Sequence, residues 1–536
     1  MSPTPQYVPP SPASERSALD TAASLSNRDL AARVANLEAL VQAQATGAQT
    51  SPGRLIPPCA KVRGVLSTSD SGHVRFIPST KFPGSNGSVS DPQQTTRRSI
   101  DLSDGPYPLG KKQTNLTRLL IDLPSRRHCK QLKDVYFECF ATLFHVLHDP
   151  TFNEQYAEFE KNPESMPLSW LALLFAILGT SVVALGASNE LLNDLSRKNT
   201  VTDQVAELSE RYRKAAFKCL EADNYLWQQN ITTLQALVIL IYSINHSHGQ
   251  TWTLLGMTFH IALSLGCHID PSEFGLDVVR SEERRRCWAG IMMLYMIQNM
   301  SMGHLGPDPW NASEGVRMPL DLNDSDLIPG EYELLVVPSR ATQMSYLLFK
   351  FRLYHISNEI SSVVRNSSQP PVTLIERLDE RIVNEQRSWH DKYSADSAAA
   401  PLPTYHEVHL YILQGYSHQL MLLLHNHSIR TSMAGTSQRR LSVAKALSSA
   451  KEILRIHAIF FIRSEFSSFG WYLRGICSFH AYHAAVSLIV VIAEHTWNDA
   501  FEDIIPLVQD CVARFEALTE VSIICNKAVP VLQSML

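Results

Sequence analysis

LSWLALLFAILGTSVVALGA, residues 168–187, contains no charged residue. The run just reaches the ~20 residues that cross a bilayer. A membrane span is oriented by Lys/Arg clusters at its ends, and none sits close to either end of this one. No second run of that quality is read further along the chain. A helix that is apolar on every side without spanning a membrane is buried in a core. The stretch is therefore expected to be the fully buried helix at the centre of an all-α body.

Composition supports that reading. Of 536 residues, 45% are hydrophobic and 18% charged, which suits a globular protein with a sizeable core. Nine Cys lie at 59, 129, 139, 219, 267, 287, 477, 511 and 525, with no CxxC among them. That spacing argues against a disulfide framework and against a zinc knuckle. MSPTPQYVPPSPASERS, at the start, lacks the apolar core of a signal peptide. Net charge is −5 overall; residues 1–127 carry 15 Lys/Arg against 9 Asp/Glu, and the remainder 32 against 43. A basic tail on an acidic body is a weak pointer to a polyanion near the tail.

Residues 1–25 are rich in Pro, Ser and Thr and bury too little to fold. Within 26–46, Leu30, Val34, Leu37 and Val41 form a short heptad seam, with Ser26 or Asn27 suited to cap it. Two heptads fit a weak parallel coiled-coil dimer or a frayed tail equally. Residues 47–120 read as linker, interrupted near 61–78 by a β-hairpin. Its runs, Val62–Leu66 and His73–Ile77, flank the turn residues Ser69 to Gly72.

From 121 to 536 the pattern is helical. Leu132, Val135, Tyr136, Cys139, Phe140 and Leu143 recur at helical spacing behind Ser125, a suitable cap. Further helices are expected around 203–222, 231–246, 250–266, 281–302, 340–365, 372–393, 405–427, 440–462, 471–494 and 500–518. No βαβ alternation, GxGxxG, P-loop or GxSxG interrupts them.

Several clusters carry residue types that do chemistry. His145 and His148 are expected on one helix face beside Asp149, but a zincin pair needs i, i+4 spacing and a Glu. His246 and His248 fall at a helix end. DLNDSDLIPGEY, from Asp321, imitates a calcium loop until Asp326 replaces its Gly and Tyr332 its final Glu. It reads as a polar connector. Arg284, Arg285 and Arg286 follow Glu282 and Glu283 at a helix start; a Glu282–Arg286 pair within an ion-pair network is expected over a phosphate surface. In LSLGCHIDPSEFGL, 263–276, Cys267, His268 and Asp270 are metal-ligand types following an apolar run.

Taken in order, FHVLHDPTF (144–152), PESMPLSWLALLFAILGTSVVALGA (163–187), TWTLLGMTFHIALSLGCHIDPSEFGL (251–276), EERRRCW (282–288) and MPLDLNDSDL (318–327) form a familiar series. It resembles the regulatory, or middle homology, domain of fungal zinc-cluster transcription factors. GVLSTSDSGHVRF (64–76) is similar to the strand-turn-strand before that domain, and RVANLEALV (33–41) to the coiled coil after the family's DNA-binding cluster. The resemblance implies that Pro271 ends a helix, that Gly275 permits the return, and that the polar residues between hold the turn.

The resemblance also implies a nuclear regulator of a metabolic or biosynthetic gene set. One departure stands out: the family's module holds two zinc ions with six clustered Cys, and the first 128 residues here contain only Cys59. Those zinc ions belong to a module absent from this sequence, so no cofactor is expected. The expected partners are a second copy or a DNA-binding regulator, through Leu30, Val34, Leu37 and Val41, and a small-molecule effector; a membrane is not expected. A helical metal-dependent enzyme using a His/Asp site is the rival reading.

Overall fold

Capping chemistry sets where the helices begin. Ser125 Oγ accepts the His128 N–H, Thr200 Oγ1 that of Asp203, and Asn230 Oδ1 that of Thr233. Each satisfies a backbone donor that the first helical turn leaves without a partner. The computed structural model describes residues 64–69, 72–78, 116–186, 190–246, 251–302, 315–331, 338–366, 371–394, 402–430, 436–494 and 503–536. The seam of Leu30, Val34, Leu37 and Val41 lies outside them.

A hairpin, β1 (Gly64–Thr68) and β2 (Val74–Pro78), comes first. Helices follow as α1 (Leu116–Ile121), α2 (Arg126–Cys139), α3 (Asp149–Lys161), α4 (Leu168–Ser181), α5 (Glu190–Leu195), α6 (Val201–Ala222), α7 (Ile231–Asn245) and α8 (Trp252–Ser264). The second half comprises α9 (Val278–Met302), α10 (Ser345–Asn366), α11 (Val372–Ser394), α12 (Thr404–Arg430), α13 (Thr436–Ile462), α14 (Ser478–Glu494), α15 (Ile504–Ala517) and α16 (Ile523–Met535). Apart from the hairpin the described fold is all-α.

Helix α4 is the centre, packed against α6, α7 and α2. All of its residues except Leu168 are buried, and Phe175 is fully enclosed beside Tyr212. Burying each Leu or Phe contributes roughly 1.5–3 kcal/mol, which explains why a span-length apolar run sits inside the bundle. A second core joins α12, α13, α14, α15 and α16 through Leu422, Leu454, Leu488, Phe515 and Leu532. One expectation fails here: Ser464–Ala493 is a later run long and apolar enough to cross a membrane. It is not one regular helix, because Gly475 breaks it at φ −102°, ψ −111°. Ala481, Ala484, Ala485 and Leu488 on it are fully buried.

Other local expectations shift. The strands start at Gly64 and Val74, one or two residues later than the β-rich runs, with Leu66 opposite Phe76. Helix α3 escapes a reading fixed on the histidines that precede it, although Pro150 opens it and Phe152, Tyr156 and Phe159 bury one face. The short α1 and α5 were not distinguished either. Helix α2 ends at Cys139, so His145 and His148 do not share a helix face; they sit in the connection to α3, where His148 is the N-cap.

Pro271 does not end α8. Gly266, at φ +74°, ends it earlier: Cys267 N–H donates to Ala262 O and Gly266 N–H to Leu263 O. These are the paired bonds that close a helix through a left-handed residue. Pro271 instead opens a 3-10 turn, Pro271–Phe274, and Gly275 at φ +63° closes it as expected.

Candidate functional site

Three consecutive arginines of α9 organise two buried polar nodes. Arg284, Arg285 and Arg286 are 7%, 5% and 0% exposed, so no phosphate-binding surface is built from them. Arg284 Nη1 donates to Leu265 O at 2.7 Å, holding the end of α8. The Glu282–Arg286 pair expected from spacing is replaced: Glu282 Oε1 accepts from Arg285 Nη1 at 2.8 Å, and Glu282 Oε2 from Leu320 N–H at 2.9 Å.

The first node centres on Asp270, which answers the question raised by the Cys267-His268-Asp270 cluster. Arg285 reaches it in fork geometry, Nη2 to Oδ1 at 2.7 Å and Nε to Oδ2 at 3.2 Å. Arg317 adds its backbone N–H at 3.0 Å and side-chain bonds at 3.1 and 3.2 Å, and Ser272 Oγ donates at 2.7 Å. Burial opposes the Asp270 charge, but the donors from Arg285, Arg317 and Ser272 hold its carboxyl well below the usual range. Every oxygen is engaged, so Asp270 fastens the turn and has no room for a metal.

The second node centres on Asp324, in the stretch from Asp321 that resembled a calcium loop. Asp324 is 3% exposed. Its Oδ1 lies 2.7 Å from Arg286 Nη1 and 3.0 Å from His145 Nε2, and its Oδ2 accepts the Asp149 N–H at 2.7 Å. Arg286 Nη1 also donates to Leu147 O at 2.9 Å. Gln343 crosses the gap, accepting from Asp324 N–H at 2.8 Å and donating to Asp149 Oδ2 at 3.2 Å. Burial works against the Asp324 charge, yet His145 and Arg286 hold it far below the usual carboxylate range. Asp149 moves the other way, raised to about 6 by burial.

His145, Asp149 and Asp324 each bring one ligand atom within 4.8 Å of the others, a spacing that a cation could bridge. Arg286 fills that role with a fixed guanidinium bound to Asp324. The family's zinc does not fit elsewhere: the eight described Cys are buried, and burial raises thiols such as Cys129 to about 11 and Cys219 to about 12. A zinc ligand must be a thiolate.

The nodes meet through the segment 315–327. Arg317 and Leu320 bind the first, Asp324 binds the second, and Asp321 is held by Thr342 and Ser345 at 2.6 Å and by Lys392 at 3.0 Å. The arrangement straps the end of α8, the start of α9, the start of α3 and the approach to α10 into one unit. The hairpin is seated on it. A Cβ at Gly266 would lie 3.2 Å from Leu66 and Phe76, Phe76 packs edge-on to His268, and Val74 N–H donates to Gln229 O at 2.8 Å. Sequence reading found the arginines and Asp270 but missed Arg317, Gln343 and the role of Asp324.

The described residues thus form a helical body with a preceding hairpin, strapped by two buried ion-pair nodes. Residues 134–394, from α2 through α11, match the family model described as the fungal specific transcription factor domain. Over this part the chain is similar to the fungal zinc-cluster transcription factors, through their regulatory domain. An uncharacterized transcriptional regulatory protein of Schizosaccharomyces pombe is 26% identical over 65% of this chain and 53% of its own length. The equisetin cluster transcription factor of Fusarium heterosporum is 26% identical over 63% and 49%. A Zn(2)-C6 fungal-type transcription factor of Monascus ruber is 26% identical over 58% and 37%. The chain spans about half the length of the first of these relatives, and less of the others.

Proposed function

We propose that this protein acts in the nucleus on a biosynthetic or other metabolic gene set, using the helical body as its regulatory part and reaching DNA through a partner. The match of residues 134–394 carries this reading. The biosynthetic assignment is supported by relatives whose names refer to the equisetin, fusarisetin A and aurofusarin clusters. Reliance on a partner is supported by the seam of Leu30, Val34, Leu37 and Val41, which only a second chain would bury and which could bring in a six-Cys reader. Dimerisation through Leu30, Val34, Leu37 and Val41, with a second copy or a zinc-cluster regulator, would supply one. The body would then respond to a small-molecule effector.

Tethering the whole chain to an unrelated DNA-binding domain should change the output of a reporter, and deleting the gene should alter a coherent transcript set. The purified chain alone should bind duplex DNA weakly and without sequence preference, because base contacts supply most of the ~10³–10⁷-fold gain of specific binding. An inert tether with unchanged transcripts would sink the regulatory reading. A selective, salt-resistant footprint would sink the reliance on a partner.

A further inference from the structure

Lys350 stands on α10 where that helix packs against α12, and α12 packs in turn against α14. Its Nζ lies 3.5 Å from the centre of the Tyr416 ring on α12. Tyr354, one turn along α10, puts its ring 5.3 Å away. The two tyrosine rings meet edge-on at 5.5 Å, and the ring of His480 on α14 lies 6.2 Å from that of Tyr416. Tyr354, Tyr416 and His480 are buried, whereas Lys350 is half-buried. Its Nζ has no hydrogen bond or ion pair among the described residues and is not closed off from solvent.

That setting decides the chemistry of the amine. An ammonium over an aromatic face gains a modest attraction, which does not replace an ion pair. No carboxylate offsets the loss of water around Lys350; burial alone lowers it, to about 7. The titratable groups beside it are uncharged near neutral pH, because burial raises Tyr354 and Tyr416 and lowers His480, for which Lys350 is the second cause. A lysine among carboxylates stays an ammonium. One held among aromatic rings without an anion gives up its proton and becomes a nucleophile.

We propose that Lys350 is a covalent site for a small aldehyde or ketone with an apolar or aromatic body, held as an imine against the rings of Tyr354 and Tyr416. The amine nitrogen attacks the carbonyl carbon and forms the C–N bond. The carbonyl oxygen leaves as water with the two amine hydrogens, so no oxidant or reductant is consumed. Tyr416 belongs to the first core, whereas Ala481, next to His480, belongs to the second. A ligand fixed at Lys350 therefore sits where the two cores join. The inference rests on the regulatory reading and deepens it by naming the effector class.

The test is reductive trapping on the full chain at pH 7, with benzaldehyde and sodium cyanoborohydride, read by peptide mass spectrometry. Lys350 should take up a benzyl group on the order of ten-fold faster than the exposed lysines, which are almost wholly protonated at that pH. With glyoxylate, an aldehyde whose carboxylate the aromatic walls do not match, that preference should fall several-fold. Labelling no faster at Lys350 than at the exposed lysines, or an undiminished preference with glyoxylate, would overturn the proposal. The tethered reporter separates the two readings. An active reporter without preferred labelling removes the covalent site alone, whereas preferred labelling with an inert reporter keeps the site and removes the regulatory reading.

Discussion

Arg286 Nη1 lies 2.7 Å from Asp324 Oδ1, and both side chains are almost fully buried. Removing one partner of such a pair leaves an uncompensated charge, at a cost of about 3–5 kcal/mol. Asp324→Ala also strips an acceptor from His145 and from the Asp149 N–H. Chemical denaturation should therefore show a loss of that size. Arg286→Met with Asp324→Leu should cost much less than the sum of the single changes. Additive losses in the double-mutant cycle would mean that the two residues are not coupled.

Gly266 joins the body to the hairpin. Its φ of +74° disfavours any Cβ, by roughly 1–2 kcal/mol, and the added atom would press on Leu66 and Phe76 at 3.2 Å. Gly266→Ala should destabilise the chain and loosen the hairpin together. Hydrogen exchange at Val74, whose N–H is bonded to Gln229 O, should accelerate while exchange in α4 keeps its order of protection. Unchanged protection at Val74 would detach the hairpin from this seat.

Acidification should weaken the fold. Burial lowers His406 and His425 to about 4, and His457 and His480 to about 3, with Arg514 second for His457 and Lys350 for His480. Between those values and 6.5 the unfolded chain holds protons that these rings refuse, so their contribution rises with pH. Asp149 and Asp223, both raised to about 6 by burial, act in the opposite sense between about 4 and 6. Burial also lowers His148, His409, His418 and His483 and raises Glu283 and Glu385, so the lowered histidines outnumber the raised carboxylates and unfolding takes up protons near pH 5. Calorimetry should show Tm falling from pH 7 to pH 5; a rise would mean that the carboxylates dominate.

The seam tests the proposed dimer. Leu37→Glu would set two carboxylates against each other in a parallel pair, which two heptads cannot absorb. Sedimentation should shift from dimer to monomer while the body keeps its melting temperature. A mass that stays dimeric places the interface elsewhere, and a monomeric parent removes the idea.

What the sequence alone determined was local. The uncharged run at 168–187, the cap at Ser125 and the paired β-rich runs around Gly72 each follow from periodicity, capping or turn chemistry within a few residues, and the turn at Gly275 from the resemblance. Asp270 was legible through the resemblance, which has the polar residues of its segment hold a turn. Asp324 was not, since nothing in DLNDSDL marks which acid turns inward; that choice depends on Arg286 and His145 arriving from distant helices and connections. Likewise, spacing favoured Glu282 with Arg286, but tertiary packing carried Arg286 to Asp324 and gave Glu282 to Arg285. Local propensity specifies elements, whereas a buried charge takes whichever partner the packed core brings within hydrogen-bonding distance, and only the tertiary structure decides that.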